Sequence, residues 1–306
     1  MNSNPLVSIA IPTYKSKYLR AAVESALGQT YHNIEVIIVN DKSPETETIV
    51  SIVDSFQDDR ICYYENDLNL GSKDPANNWD KCLSYAKGDY FCLLCDDDIY
   101  MPTFIEEMMV LTDQFTNCNV FRARGCIVNK EGGVTSYYPS SPQWESSEDY
   151  MYHVFRRLRF QTISEFFYRT NHIKGIGGFV HFPLAWHADY FSIFVFSKTG
   201  GIASNSKPLV MFRLSGENIS SRLSSNCEKK AEANFLAFVK AGEIINTAEP
   251  LFMPLLNNEL QNWKYFKDLD VARSVSFWGL IKLFRLKKKY HIMLEVLLKG
   301  VVSHFI

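Results

Sequence analysis

Three consecutive carboxylates, Asp96-Asp97-Asp98, follow an apolar run, Tyr90–Cys95, and precede Ile99-Tyr100-Met101-Pro102. Adjacent carboxylates repel one another unless a cation or solvent compensates them. Hard divalent cations take oxygen ligands, and Mg2+ favours one or two carboxylates plus substrate phosphates over an all-protein cage. The stretch therefore reads as a seat for Mg2+ or Mn2+ that bridges the protein to a diphosphate. The competing reading is a solvated acidic turn with Asp98 capping the next helix. Asp41, in Asn40-Asp41-Lys42-Ser43-Pro44, supplies another carboxylate behind the apolar run Ile34–Val39. It has the chemistry to accept from a base N–H or a ribose hydroxyl, and equally to start a helix as a turn residue.

These groups need elements to position them. Leu6–Ile11, Ile34–Val39, Arg60–Glu65 and Tyr90–Cys95 read as strands. Helical patterns over Tyr18–Gln29, Glu45–Phe56 and Pro75–Ala86 separate them. Strand–helix alternation with short connections implies a parallel sheet covered by helices on both faces. Such sheets bind ligands at the carboxyl ends of their strands. Pro12-Thr13-Tyr14, Asn40-Asp41, Glu65–Gly71 and Asp96–Asp98 all fall there, on one rim. A helix then runs to about Phe115, followed by strands over Asn119–Val128 and Gly133–Tyr138. From Pro139 to Leu223 the pattern is less regular, loop-rich and aromatic, and residues 228–306 read as mostly helical.

Composition bounds the class. The 306 residues are 46% hydrophobic and 22% charged, with 15 Gly and 11 Pro. This excludes a disordered tail, a collagen-like fibre and a disulfide mini-scaffold. A net charge of −2 argues against a nucleic-acid partner. Seven scattered cysteines and no secretory signal favour reduced thiols in a cytoplasmic setting, with Cys92 and Cys95 as core residues. No apolar run is long enough for a transmembrane helix.

The set Val7–Tyr14, Gln29-Thr30-Tyr31, Glu35–Ser43, Asn69-Leu70-Gly71 and Lys87-Gly88-Asp89-Tyr90, leading to the aspartates, resembles the family-2 inverting glycosyltransferases. The Asp-Asp-x-Ile-Tyr-Met-Pro run is similar to their spore-coat polysaccharide type. The resemblance is close over residues 6–115 and looser to about 222. It implies an α/β fold of GT-A type: a Rossmann-like, mostly parallel central sheet flanked by helices, with a helical C-terminal extension. The expected organisation is a glycosyltransferase domain over 1–225 (a nucleotide-sugar half, 1–115, and an acceptor half, 116–225) and a helical, basic extension over 226–306.

Carried over residue by residue, the resemblance implies that Pro12, Thr13 and Tyr14 pack on the nucleotide base and that Asp41 recognises it. Asn69 and Gly71 then belong to a loop close to the nucleotide. Asp96–Asp98 match the DxD region, where three registers are open: Asp96 is assigned to the ribose, and Asp97 and Asp98 to the metal, Mn2+ or Mg2+. Asn40 and Lys42 depart from the usual Asp-Asp-Gly-Ser, as does Lys15 from the usual Asn, which blurs base specificity while leaving a UDP-sugar favoured. An inverting transfer also needs a general base across the sugar from the metal. In this family it is an Asp or Glu in a later loop, and Asp189 in Gly177–Tyr190 is the best match. His181 and His187 are its rivals as base or diphosphate contact, and Asp189 capping a helix from Tyr190–Phe191 is the competing structural role. Gly177-Gly178 would let the chain approach a ligand. Glu145, Glu148 and Asp149 read as a solvated turn. Arg213 is a weaker candidate, reaching the diphosphate from a mobile segment, and Asn218-Ile219-Ser220 is formally a glycosylation sequon.

From Arg273 onward seven Lys/Arg face one acid, Glu295. Phe277, Leu280, Ile281 and Phe284 recur at helical spacing, with Lys282, Arg285 and Lys289 on another face. The tail therefore reads as an interfacial helix drawn to anionic lipid, or as a helix docked on the domain with a solvated basic face. The expected activity is hexosyl transfer from a nucleotide-diphosphate sugar to a glycan or lipid-linked acceptor in surface polysaccharide synthesis, in the cytoplasm or peripheral on the inner membrane face. The alternative is a catalytically inactive sugar-nucleotide-binding protein of the same fold. A HAD-type phosphatase would place its nucleophile after the first strand, and a nucleotidyltransferase would want a Gly-rich loop there; neither fits.

Overall fold

A computed structural model describes residues 4–214, 216 and 226–303. The sequon Asn218–Ser220 lies outside the described residues. The first half runs β1 (Val7–Thr13), α1 (Leu19–Leu27), β2 (Ile34–Asn40), α2 (Thr46–Asp54), β3 (Ile61–Glu65), α3 (Ala76–Tyr85) and β4 (Tyr90–Leu93). β2 pairs in parallel with β1 and β3, and β4 in parallel with β1. Every residue of β2 is buried because helices cover both faces. Ile37 and Val39 join the cluster on one face and Val36 and Ile38 that on the other.

The second half continues through β5 (Ile99–Tyr100), α4 (Phe104–Gln114), β6 (Val120–Val128), β7 (Val134–Tyr137), β8 (Trp144–Glu145), α5 (Ser147–Phe155), β9 (Phe166–Arg169), α6 (Thr170–Gly175), α7 (Ala188–Phe196) and β10 (Ile202–Arg213). The sheet order is β3-β2-β1-β4-β9-β6-β10-β5, with β7 on β6 and β8 on β10. β9 is antiparallel to both β4 and β6, and joins the parallel half to the rest. The fold is the expected α/β type with a helical C-terminal part.

The stretch expected to be irregular holds two helices of nine residues and the twelve-residue β10. Two effects hide them from pattern reading. β10 shifts register around Ser204–Pro208, where polar exposed residues interrupt the alternation. α7 is apolar almost all round because it lies in the larger core cluster with Phe166, Tyr168 and Phe155. The acidic turn also needs correction. Glu145 is 2% exposed and paired with Arg159 at 3.0 Å. Glu148 and Asp149 occupy the first turn of α5, behind its Ser146 cap.

α8 (Cys227–Ile245) and α9 (Met253–Ser274) pack on this face. Ala233, Ala237 and Ala241, four apart, give α8 a flat stripe that lets it approach closely. Leu256, Leu260 and Trp263 of α9 share the core with Phe155 and Phe191. α10 (Phe277–Leu286) and α11 (Leu294–Val302) close a separate small cluster around Leu280, Leu283, Val296 and Leu297. Among the described residues no helix is long and apolar enough to cross a membrane. All seven cysteines are free, with Cys92 fully buried.

Candidate active site

Four strand ends meet through main-chain donors and carboxylates. The Asp41 N–H donates to Thr13 O at 2.9 Å, and Ser43 Oγ donates to Tyr14 O at 2.6 Å. Asp41 Oδ1 accepts from Leu70 N and from Asn66 Nδ2, both at 2.8 Å; its Oδ2 accepts from Gly71 N at 2.7 Å. A Cβ on Gly71 would lie 2.8 Å from Asp41 Oδ2, which is why the loop carries glycine there. Asp41, Asn69 and Gly71 are thus brought together, with the carboxylate holding the loop. Buried Asn66 Oδ1 beside it has no hydrogen-bond partner among the described residues. It is an acceptor suited to an incoming N–H.

Asp96 Oδ2 accepts from Tyr14 N and Lys15 N, both at 2.9 Å, and so ties the loop after β1 to the aspartates. Thr13 is fully buried, with its hydroxyl on Ile11 O, while Tyr14 keeps its ring 41% exposed at the rim. Asp98 is 1% exposed; Ser164 Oγ donates to its Oδ2 at 2.7 Å and Arg213 N to its Oδ1 at 3.1 Å. Burial, then the charge of Asp97, pushes Asp96 up to about 6 and moves Asp98 in the same direction. A divalent cation would relieve both effects, so this oxygen-rich donor set fits one.

Asp189 lies at the start of α7, well beyond the rim residues in the chain. His187 takes a left-handed conformation, φ 74°, and starts α7 at Ala188, two residues earlier than expected. Asp189 therefore sits in the first turn instead of capping the helix. Gln161 Nε2 donates to Asp189 Oδ2 at 3.3 Å, and the amide is oriented by the Tyr150 hydroxyl on Gln161 Oε1. Burial pushes Asp189 up to about 6, against the opposing pull of Tyr190 N–H, Gln161 and the Lys267 ammonium. Gln161 and Ser164 are three residues apart, a reach of at most about 11 Å for an extended chain. One short segment thus touches Asp189 at one end and Asp98 at the other.

The histidine rivals are engaged elsewhere. His181 bridges Asp74 and Asp80, 2.7 Å from each. Burial opposes its protonation, but the two carboxylates win and raise its pKa. His187 is 6% exposed and held neutral by burial, its pKa lowered to about 3. Gly178, φ 86°, lets the chain pass Asp80, whose Oδ1 would lie 2.3 Å from a Cβ there; its approach is to this carboxylate and not to an open ligand site. Arg213 ends β10 with Nε on Asp97 O and its guanidinium 4.6 Å from the centre of the Tyr18 ring; it is 5% exposed and belongs to a strand. Gln161, Ser164 and Lys267 carry no signal in the sequence, and Asn66 stood out there only as part of the stretch Glu65–Gly71. They are single polar residues with no motif, and only a contact map reveals them.

Residues 8–180 match the family described as Glycosyl transferase family 2. An uncharacterised glycosyltransferase of Rickettsia typhi is 38% identical over 148 residues, covering 47% of this chain and 44% of that protein. The UDP-Glc:alpha-D-GlcNAc-diphosphoundecaprenol beta-1,3-glucosyltransferase WfaP of Escherichia coli is 34% identical over 139 residues, covering 45% of this chain and 53% of that one. The chain thus spans about half the length of these curated relatives. Among solved structures, Staphylococcus aureus TarS residues 1–349 in complex with UDP-GlcNAc superposes with a TM-score of 0.65 over 97% of this chain and 88% of that chain, at 16% identity. That likeness shows the fold, which is GT-A. With its strand-end motifs inside the matched region, the chain belongs to glycosyltransferase family 2.

Proposed function

We propose that this protein is a metal-dependent inverting glycosyltransferase that moves a hexosyl group from a UDP-sugar to a hydroxyl of a glycan or lipid-linked acceptor in surface polysaccharide synthesis. The observation that carries this reading is the convergence of the donor rim and Asp189 on the segment from Gln161 to Ser164. WfaP, whose name gives UDP-glucose and a diphosphoundecaprenol-linked sugar, supports the donor and acceptor classes.

Tyr14 stacks on the base, while Asp41 and Asn66 Oδ1 offer acceptors to its N–H groups or to the ribose. Pro12 and Thr13 shape the floor, and the Asn69–Gly71 loop closes over the nucleotide. Asp96 aligns the loop after β1 and faces the ribose. Asp97 would hold Mn2+ or Mg2+. Asp98, turned inward onto Ser164 and Arg213, supports it from behind. When bound, the cation neutralises charge on the leaving diphosphate. Asp189 takes the acceptor proton. With its pKa near 6 it is ionised at neutral pH yet more basic than an exposed carboxylate, as a general base requires.

In this reading residues 1–225 form the catalytic domain and 226–306 an extension docked on it. On the extension Phe277, Trp278, Leu294 and Leu298 are exposed, as are Lys282, Arg285 and Lys288. That surface suits peripheral attachment to an anionic inner membrane face, which sedimentation with phosphatidylglycerol vesicles against neutral ones tests. The enzymatic reading is tested by a thermal-shift panel of UDP, GDP, TDP and CMP with and without Mn2+. A UDP-selective, metal-dependent stabilisation that Asp97→Ala abolishes is expected. Stabilisation without any sugar transfer or donor hydrolysis would instead favour an inactive sugar-nucleotide binder.

A further inference from the structure

His187, two residues before Asp189, is anchored by the C-terminal helices. His187 Nε2 lies 2.9 Å from Asn234 Oδ1 of α8, and Asn234 Nδ2 donates to Asp268 Oδ1 of α9 at 2.9 Å. Asp268 Oδ2 is paired with Lys264 Nζ, which also donates to His291 O at 3.3 Å. Asn234 is fully buried, and Asp268 and Lys264 nearly so.

The direction of every bond in this chain is determined. A carboxylate only accepts, so the Asn234 amide must turn its NH2 to Asp268 and its carbonyl to His187. His187 must then carry its proton on Nε2. The imidazole ring packs edge-on at 5.0 Å from Trp263. This anchors a backbone stretch in which Leu184, Ala185 and His187 all have positive φ. Such conformations persist only where the surroundings over-determine them.

We infer that the C-terminal helices are part of the catalytic unit: the series Lys264–Asp268–Asn234–His187 holds the strained turn from which Asp189 projects, making Asn234 and His187 positioning residues. The inference rests on the reading of Asp189 as the base. α9 also carries Lys267, whose ammonium acts on Asp189 together with Tyr150 of α5, Tyr168 of β9, Glu165 and Tyr190, although burial is the largest influence on that carboxyl.

The test uses the full chain and four variants, Asp189→Asn, Asn234→Leu, His187→Leu and His187→Gln. The probes are UDP-glucose with Mn2+, an alkyl-diphosphate N-acetylglucosamine acceptor, and the Asp189 carboxyl titration followed by 13C NMR. For Asn234→Leu and His187→Leu we expect kcat to fall at least tenfold with donor KM within twofold, and the Asp189 titration to move by about a unit towards an ordinary carboxylate. His187→Gln, which keeps an N–H for Asn234 Oδ1, recovers most of the loss. An unmoved titration together with wild-type kcat in Asn234→Leu overturns the inference. If that variant does not fold, equal behaviour of His187→Leu and His187→Gln overturns it. Full turnover in Asp189→Asn fails the base reading itself, a separate result. If the wild type does not transfer, the titration decides the anchoring independently.

Discussion

The acidic rim and the start of α7 at Asp189 solve the same problem, holding a carboxylate in place, by different means. On the rim, Asp41 and Asp96 bind backbone N–H groups of neighbouring loops, and the partners are set by parallel strands ending side by side. Around Asp189, positioning depends on side chains from distant elements: Gln161, then His187 with Asn234 from α8. A site built on strand ends inherits its geometry from the sheet. A site at a helix start entered through a strained turn needs a second layer of packing to hold it.

Breaking the α7 side should have the larger effects. Asp189→Asn should lower kcat by about 10²–10⁴, the range of general base catalysis, with UDP affinity retained in calorimetry. Because burial raises its pKa, ionised Asp189 destabilises the native state above about pH 6. The variant should therefore show an equal or higher Tm at pH 7.5. Next, Trp263→Ala should destabilise by about 3–5 kcal/mol, since Trp263 packs on His187, Phe155 and Phe191. Chemical denaturation reads this, and preserved stability would separate α9 from the catalytic core.

On the rim, Gly71→Ala should weaken UDP binding about tenfold, or 1.4 kcal/mol, by pushing Asp41 Oδ2 out of the loop. With saturating donor, kcat should change little, and an equal loss in kcat would erase the contrast between the two regions. The pH profile sharpens it further: kcat should fall about tenfold per unit below pH 6 as Asp189 takes up its proton. Smallest of all, Lys42→Ala removes a surface ion pair with Glu65 that solvent screens, and the Tm should stay close to that of the wild type.

The rim was legible in the sequence because its residues immediately follow buried apolar strands, and strand ends in a parallel sheet share an edge. Asp41, Gly71 and Asp96 could be placed together without coordinates. Asp98 was legible as a neighbour but not in its orientation. Its inward turn depends on Ser164 and Arg213, which lie far along the chain. Glu145 was misread because a short polar stretch resembles a turn until Arg159 is seen to bury it. β10 was missed, and α7 was read only as an alternative with a later start, because a register shift and an almost all-apolar helix erase the periodicities that pattern reading uses.

By itself the sequence determined the alternation of buried strands and helices, the acidic rim at their carboxyl ends and the family resemblance those motifs carry. These depend on local hydrophobic periodicity and on residues that act within a few positions of one another. Only the tertiary structure decided which way Asp96 and Asp98 face, that Gln161 and Ser164 link Asp189 to the rim, and that the C-terminal helices hold the turn before Asp189. Those outcomes depend on contacts between residues 28 to 116 positions apart in the chain, as with Gln161–Asp189 and Arg213–Asp97, which no local pattern encodes.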